Sequence, residues 1–548
     1  MKTHIKPKNQ AGRPQMPRMA WMKTGSSTEL PEPIRTEPEE RNAFIIRVIR
    51  EIRGFSFGTR LKNLFLLPAL IAGLGLIPAD RVTAEPFTVL HSFTATDPNT
   101  GANSDGADPD AGLFLSGNTL YGTALTGGPS GFGTVFAVNT DGTGFTNLHS
   151  FAGGSDGAGP RAGLILSGDT LYGTARGNGS SPIDGNGTVY KVTTNGTGFT
   201  NLHSFTSGAG AYPNVTNSDG ASPSAGLILL GNTLYGTARS GGSSGNGTVF
   251  AINTDGKGFT NLHSFDGVSD GAIPFAGLIT NLSGNTLYGT ASAGGDSGNG
   301  TVFALNTDGT GFTNLHSFTA SDGANPYAGL ILSGNTLYGT AAQAGSSGNG
   351  TVFAINTDGT GFRTPHSFTA ESGPLSTNSD GAYPFAGLIS SGNTLYGPAE
   401  QGGGSAAGTV FAVNTYGAGF ATLYSFATVD PVAGTNGDGA YPNGALVLSG
   451  NNLYGTAYGG GNSGSGTVFS LSLPRPRLTI TFSGAYPVVS WPTNYTDQFL
   501  QYTTDALSPS AVWYDLPYLP IIVNGQIAVT IPAYLFLREH AAFRLHHD

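Results

Sequence analysis

The chain has 548 residues and a formal net charge of −10, and its composition already excludes several classes of protein. Glycine supplies 86 residues and only 11% of residues are charged, which is unusual for an intracellular α-helical enzyme. Because there is no cysteine, disulfides, thiolate nucleophiles and cysteine-bound zinc are excluded. Residues 85–548 carry 27 of the 34 acidic side chains but only 10 of the 24 basic ones. That part of the chain would repel phosphate backbones, so we expect no nucleic-acid partner.

The first 84 residues contain the features of an export signal. Arg60 and Lys62 precede an apolar run over residues 64–77, and polar and small residues follow as far as Ala84, an order typical of a secretory signal. The run is shorter than the roughly 20 residues of a membrane-spanning helix. We predict that residues 1–84 are an N-terminal extension and signal peptide, and that the mature protein is secreted or on the cell surface without a membrane span. An uncleaved membrane anchor is the alternative.

From Pro86 to about Leu473 one unit recurs seven times at a spacing of about 55 residues, close to that of a propeller blade. Each unit has an LYGT element, in which Pro398 once replaces the threonine, and then a GTVF or GTVY element. The LYGT tyrosines are Tyr121, Tyr172, Tyr235, Tyr288, Tyr338, Tyr396 and Tyr454. Turn signals divide each unit into four short strands, which in the second copy are 163–166, 170–175, 188–193 and 199–205. Sheets this small are stable when they pack side by side around an axis, which predicts a β-propeller over residues 85–474.

The order of these strands resembles that of kelch repeats. The motifs LYGT, GTVF and SDGA, recurring in that order over about 390 residues, resemble the GloVer tandem repeats of secreted bacterial proteins. The resemblance implies an exported protein, and it brings no established activity.

The two ends of the array complement each other. The last unit lacks its outer strand, whereas residues 87–93, FTVLHSF, match the outer strands GFTNLHSF and precede the first complete unit. Pairing them would remove an exposed edge. Residues 475–548, with Trp491 and Trp513, indicate six or seven further strands. The expected fold is therefore all-β: a seven-bladed β-propeller closed by an N-terminal strand, plus a small C-terminal β-sandwich-like module.

Six histidines occupy one position of the repeat, and Tyr424 replaces them in the last copy. They are His91, His149, His203, His263, His316 and His366. Neighbouring sheets pack about 10 Å apart, so these rings cannot converge on one metal ion, whose ligands lie near 2 Å from it. We expect a structural hydrogen bond from each ring to the SDGA-type loop that follows it. The loop aspartates are Asp105, Asp156, Asp219, Asp270, Asp322, Asp380 and Asp438.

Other chemistry is weakly marked. A single carboxylate per loop is too few for calcium, which takes six to eight oxygens, so we expect no metal. No lysine follows the glycine-rich segments as in a phosphate loop, and no GxSxG elbow is present. We therefore expect no cofactor and name no catalytic residue. Paired carboxylates for glycoside cleavage stay open, because a sequence does not supply their separation.

Two positions vary strongly within an otherwise constant stretch of the repeat. The residue after the proline of each SDGAxP element is Asp110, Arg161, Ser224, Phe275, Tyr327, Phe385 or Asn443, and the residue before it is Asp108, Gly159, Ser222, Ile273, Asn325, Tyr383 or Tyr441. Both positions precede the innermost strand, so we expect them around the axial opening, where aromatic faces would stack on sugar rings. The candidate ligand-binding residues are Asp110, Arg161, Phe275, Tyr327, Tyr383, Phe385 and Tyr441. Drift at unconstrained positions is the alternative.

The expected function is extracellular binding or cell-surface organisation by a secreted, non-catalytic propeller. The expected partner is an extracellular polysaccharide or another surface protein. Two alternatives are an extracellular glycan-active enzyme with its site at the axial opening and a purely structural matrix protein.

Overall fold

The computed structural model describes residues 87–177, 186–209, 216–474, 478–483, 486–492, 498–503, 514–516, 521–523, 526–531 and 542–547. The predicted signal peptide and Trp513 lie outside these ranges. Within them the chain is all-β, apart from one 3-10 turn at Gly154–Asp156. No helix in the described ranges is long and apolar enough to cross a membrane.

The repeats form seven four-stranded antiparallel sheets. Their first strands are β2 (Phe114–Ser116), β6 (Ile165–Ser167), β10 (Ile228–Leu230), β14 (Ile279–Thr280), β18 (Ile331–Ser333), β22 (Ile389–Ser391) and β26 (Val447–Ser449). The second strands, which carry LYGT, are β3 (Thr119–Ala124), β7 (Thr170–Ala175), β11 (Thr233–Ala238), β15 (Thr286–Ala291), β19 (Thr336–Ala341), β23 (Thr394–Ala399) and β27 (Asn452–Ala457).

The third strands, which carry GTVF, are β4 (Thr134–Asn139), β8 (Thr188–Thr193), β12 (Thr248–Asn253), β16 (Thr301–Asn306), β20 (Thr351–Asn356), β24 (Thr409–Asn414) and β28 (Thr467–Ser472). The fourth strands are β5 (Thr146–Ser150), β9 (Thr200–Ser204), β13 (Thr260–Ser264), β17 (Thr313–Ser317), β21 (Arg363–Ser367), β25 (Ala421–Ser425) and β1 (Phe87–Ser92). In the second unit, the two central strands have the predicted bounds, whereas the first strand starts two residues later than predicted.

The central two strands of each sheet are buried on both faces, because neighbouring sheets cover both. Their register explains the sequence motifs. Gly122 of β3 lies opposite Phe136 of β4, and a methyl group at Gly122 would lie 2.5 Å from Phe136 Cζ. The aromatic ring of GTVF therefore requires the glycine of LYGT.

Apolar clusters join each sheet to the next. Tyr121 and Phe151 of the first unit pack with Leu164 and Tyr190 of the second, and equivalent clusters recur along the array. The buried LYGT threonines add a hydrogen bond to the next unit's backbone. These bonds run from Thr123 to Ala162, Thr174 to Ala225, Thr237 to Ala276, Thr290 to Ala328, Thr340 to Ala386 and Thr456 to Ala111.

The first and last units are also in contact. β1 pairs antiparallel with β28, which gives the last sheet the order β1-β28-β27-β26. Thr456 Oγ1 donates to the carbonyl of Ala111 at 2.9 Å. Tyr454 packs in one buried cluster with Leu113 and Phe136. The last unit therefore makes with the first the same contacts that other neighbouring units make with each other.

The chain beyond residue 478 adds seven described strands in two sheets. These strands are β29 (Thr479–Ser483), β30 (Tyr486–Pro492), β31 (Gln498–Thr503), β32 (Tyr514–Asp515), β33 (Ile521–Val523), β34 (Gln526–Thr530) and β35 (Ala542–His547). The sheet orders are β29-β30-β34-β33 and β32-β31-β35. Trp491, Leu500, Val529 and Phe543 form their shared buried cluster.

Candidate functional site

The seven units meet at one central cavity of about 140 Å³. Every unit contributes the residue after the SDGAxP proline, together with small residues that follow it. The first of these positions holds Asp110, Arg161, Ser224, Phe275, Tyr327, Phe385 and Asn443. The small residues allow neighbouring backbones to approach closely: a Cβ added at Gly163 would lie 3.1 Å from the Gly112 carbonyl oxygen. The constant part of the repeat thus builds the wall, and the variable position supplies its chemistry.

A polar group occupies one side of the cavity. Asp110 is buried and accepts hydrogen bonds on both oxygens, from Arg161 Nε and, at 2.7 Å, from Asn443 Nδ2. Burial raises the pKa of Asp110, while Arg161 and Asn443 act in the opposite direction. The bond between Asn443 and Asp110 also links the last unit to the first.

Aromatic rings occupy the other side. Phe275 and Tyr327 meet edge to face with ring centroids 5.4 Å apart, and Tyr327 lies 5.2 Å from Phe385 in a tilted arrangement. The Arg161 guanidinium lies 4.6 Å above the Phe275 centroid and so joins the two sides. Arg161 and Phe275 belong to units two and four, and the intervening unit has only the small Ser224. We call Phe275, Tyr327 and Phe385 the aromatic arc. All three side chains are half-buried, not exposed.

The position before the proline has a different role. The cavity lining includes neither Tyr383 nor Tyr441, although both were expected at the opening. Their φ angles are +55° and +60°, a left-handed conformation that is uncommon for residues other than glycine. The Tyr383 and Tyr441 N–H groups donate to the carbonyls of Asn349 and Ala407 in the preceding unit. This position therefore makes the turn that aims the residue after the proline at the cavity.

A second set of side chains near the cavity was missed by the sequence analysis. It occupies the residue that follows each LYGTA strand. Arg239 lies 5.7 Å from the Phe275 ring centroid, and Arg176 acts electrostatically on Asp110. Burial, aided by Asp110 and opposed by Arg161, raises the pKa of Glu400 to about 7. Burial, then Asp108 and Asp110, raises the pKa of Tyr458. The signal was present, because this position also varies beside a constant strand.

The repeated histidines pair with the loop aspartates. The Nε2–Oδ2 distances are 2.9 Å for His91–Asp105, 3.0 Å for His203–Asp219, 2.8 Å for His263–Asp270, 3.1 Å for His316–Asp322 and 2.9 Å for His366–Asp380. His149 and Asp156 are 3.3 Å apart, but His149 Nε2 has no hydrogen-bond partner in the described structure. Tyr424 donates to Asp438 at 2.7 Å. None of these residues lines the central cavity.

Each of these rings also stacks on an aromatic ring near the fourth strand of a neighbouring unit. For example, His203 lies 3.9 Å from Phe259 in a nearly parallel stack. Within the described residues, no group of three or more His, Asp or Glu side chains is arranged to hold a metal ion.

The geometry defines an all-β protein of repeated four-stranded antiparallel sheets with a propeller-like arrangement. The model of the Gloeobacter/Verrucomicrobia repeat family matches residues 80–220, 212–377 and 269–435. These matches span well over half of the chain, which therefore belongs to that family.

Several solved structures are distantly similar. The GH74 xyloglucanase from Xanthomonas campestris is 14% identical with a TM-score of 0.44, over 74% of this chain and 59% of that chain. An oligogalacturonate lyase in complex with manganese is 11% identical with a TM-score of 0.42, over 72% and 98%. A putative 6-phosphogluconolactonase from Bacteroides uniformis is 16% identical with a TM-score of 0.39, over 75% and 98%. Likenesses this distant carry no argument about activity. A search of curated proteins found no match.

Proposed function

We propose that this protein is an exported, non-catalytic, seven-bladed β-propeller that binds the end of an extracellular glycan chain. The seven sheets and the contacts between the first and last units support a closed ring, with β1 as the outer strand of the seventh blade. Export is tested by N-terminal sequencing of the mature protein. We expect it to begin at Glu85, and a mature chain that retains residues 60–84 would contradict cleavage.

One observation carries the binding function: a single variable position of the repeat supplies a side chain to the central cavity from all seven units. A binding site needs side chains that converge on one place and differ in chemistry, on a scaffold that stays constant. One variable position beside constant neighbours meets both needs. The aromatic arc offers stacking faces, and Arg161, Asp110 and Asn443 offer fixed hydrogen-bonding groups.

The cavity volume limits the ligand. An apolar cavity of about 150 Å³ holds one benzene ring, and the central cavity, at about 140 Å³, is of similar size. It therefore has room for about one six-membered ring. A terminal sugar residue, with the rest of the glycan outside, fits this limit.

The test is the double variant Tyr327→Ala with Phe385→Ala, assayed for retention on a panel of insoluble polysaccharides. We expect the intact protein to be retained by at least one of them and the variant to lose retention. Because the two side chains are half-buried, their loss should also cost about 2 kcal/mol of stability, so a thermal melt must show that the variant is folded. The matched control is Leu282→Ala with Tyr416→Ala, which removes two exposed large side chains outside the cavity lining. Equal retention of both variants would reject the cavity as the site.

Glycan cleavage at the same opening is a second candidate function, favoured by Glu400. A carboxyl whose pKa is about 7, close to Asp110 and Arg161, has the properties of a general acid. Release of reducing sugars from a retained polysaccharide, lost in Glu400→Gln, would support cleavage. Retention without release supports binding alone.

A further inference from the structure

Basic residues are scarce in the repeat array, and half of them lie near the central cavity. Between residues 85 and 474 the chain has only six lysines and arginines. Arg161 lines the cavity, Arg239 lies close to Phe275, and Arg176 acts on the buried Asp110. The other three are Lys191, Lys257 and Arg363. Half of the few positive charges of this acidic repeat array are therefore concentrated near the central cavity.

The Arg161 guanidinium is held ready to bind an anion. Its Nε donates to Asp110, whose second oxygen accepts from Asn443, and its plane is supported by the Phe275 ring. The side chain is 24% exposed. A guanidinium has five N–H donors in a rigid fork, so the bond from Nε leaves the terminal nitrogens available at the cavity. Fixed in this way, the group would lose little entropy when a ligand binds.

The acidic groups nearby do not cancel this attraction. Asp110 is compensated by Arg161 and Asn443. Asp108 does not line the cavity, and its carboxylate accepts a hydrogen bond from Thr126 at 2.5 Å. The raised pKa of Glu400 leaves that carboxyl partly neutral near pH 7. Arg239 then adds a positive charge beyond that of the compensated pair.

We propose that the central cavity binds a sugar residue that carries a carboxylate, that is, a uronic acid. This inference rests on the proposed glycan-binding function and specifies the chemistry of its ligand. The sugar ring would stack on the aromatic arc. Its carboxylate would bind the terminal nitrogens of Arg161 with Arg239 nearby, because the planar guanidinium matches a carboxylate in a bidentate geometry. A carboxylate attached directly to the ring also adds little volume, as a cavity for one ring demands.

The experiment compares pairs of ligands that differ only in whether the ring carries a carboxylate or a hydroxymethyl group. Disaccharides of glucuronic, galacturonic and mannuronic acid are each compared by calorimetric titration with the same disaccharide whose carboxyl groups have been reduced to alcohols. We expect at least one acid form to bind about tenfold or more tightly than its reduced form, as a charge-assisted hydrogen bond implies. Added salt should reduce the difference in affinity between the acid form and the reduced form.

The Arg239→Gln variant tests the arginines without leaving Asp110 unpaired, and Arg239→Lys should retain part of the preference. Lys257→Gln is the matched control, because it removes the same charge from an exposed turn, where the lysine side chain is 84% exposed. We expect Arg239→Gln to lower the acid-to-reduced affinity ratio and Lys257→Gln to leave it unchanged.

The outcomes separate the two proposals. If acid and reduced disaccharides bind equally, the uronate inference is overturned while glycan binding stands. The same holds if Arg239→Gln and Lys257→Gln change the acid-to-reduced affinity ratio alike. Tighter binding of sulfated disaccharides than of uronates would also overturn it. If neither form binds and no polysaccharide is retained, both proposals fail.

Discussion

The residues that recur most strictly make contacts between units, and the histidine position shows why. His366 donates to Asp380, stacks on Phe420 and lies edge to face with Phe368. Burial alone would raise the pKa of Asp380, but hydrogen bonds from His366 and Thr369 outweigh it and lower that pKa. One side chain thus ties an outer strand to the loop that leads into the next unit. A contact repeated in this way is structural, and Tyr424, the one substitute among the seven copies, keeps the bond to the loop aspartate.

These histidines should make the protein sensitive to acid. Burial lowers the pKa of His149, His203 and His316, against the opposing effect of their aspartates. The unfolded chain therefore takes up protons more readily, so stability is complete above about pH 6.5 and falls as the pH drops toward the lowered values. We expect the melting temperature to decrease between pH 7 and pH 5.

The chain supplies a non-titrating replacement for this test. In the sixth unit Tyr424 keeps both the aspartate bond and the ring stack. His203→Tyr should therefore match the parent protein at pH 8 and lose less stability at pH 5. If the melting temperatures of the two proteins fall equally between pH 8 and pH 5, His203 does not contribute to the acid sensitivity.

Tyr190 is a residue that the repeat does not favour. It replaces the phenylalanine of GTVF, is fully buried, and its hydroxyl has no hydrogen-bond partner in the described structure. A buried hydroxyl without a partner costs about 1–3 kcal/mol. We expect Tyr190→Phe to raise the free energy of unfolding by at least about 1 kcal/mol, measured by urea denaturation. The matched control, Phe250→Tyr at the equivalent position of the third unit, should lower it, and an opposite result for either variant would contradict the explanation.

At the scale of the strand, LYGT combines three requirements: a glycine beneath an aromatic ring, a tyrosine in the cluster with the next unit, and a threonine that donates to that unit's backbone. Thr340 is fully buried, and its hydroxyl donates to the Ala386 carbonyl at 3.0 Å. Thr340→Val keeps the shape but removes the donor, and should cost about 1–2 kcal/mol.

The control for this strand is Thr313→Val, at an exposed position that starts β17. Substitutions at exposed positions usually change stability by less than about 0.5 kcal/mol. Chemical denaturation of both variants decides the matter: similar losses would mean that the buried hydroxyl contributes nothing specific to the joint between units.

At the scale of the whole molecule, we expect stability to depend on the pairing of β1 with β28. Phe93 is fully buried between the last and first units, and Phe87 stacks on Tyr424 with centroids 4.1 Å apart. A protein that begins at Thr94 should lose several kcal/mol relative to one that begins at Glu85, at about 1.5–3 kcal/mol for each buried side chain. It should also expose the edge of β28. Equal melting temperatures for the two proteins would show that β1 is dispensable.

The sequence alone determined the repeat, its strands and the family. The signals for these are strand periodicity, turn residues and the packing of each unit on the next, and they are local and recur in all seven units. The pairing of β1 with β28 was also predictable from the sequence, because FTVLHSF matches the outer strands of the repeat although it lies at the opposite end of the array from β28.

Only the tertiary structure decided which variable residues share a site. The repeat positions of Phe385 and Tyr383 are equally variable among the seven units, but a left-handed backbone at Tyr383 directs only Phe385 into the cavity. The raised pKa of Glu400 arises from burial and from Asp110, a residue of another unit far away in the chain. Side-chain direction and electrostatic environment depend on which distant units meet at the centre, and that information is absent from any single repeat.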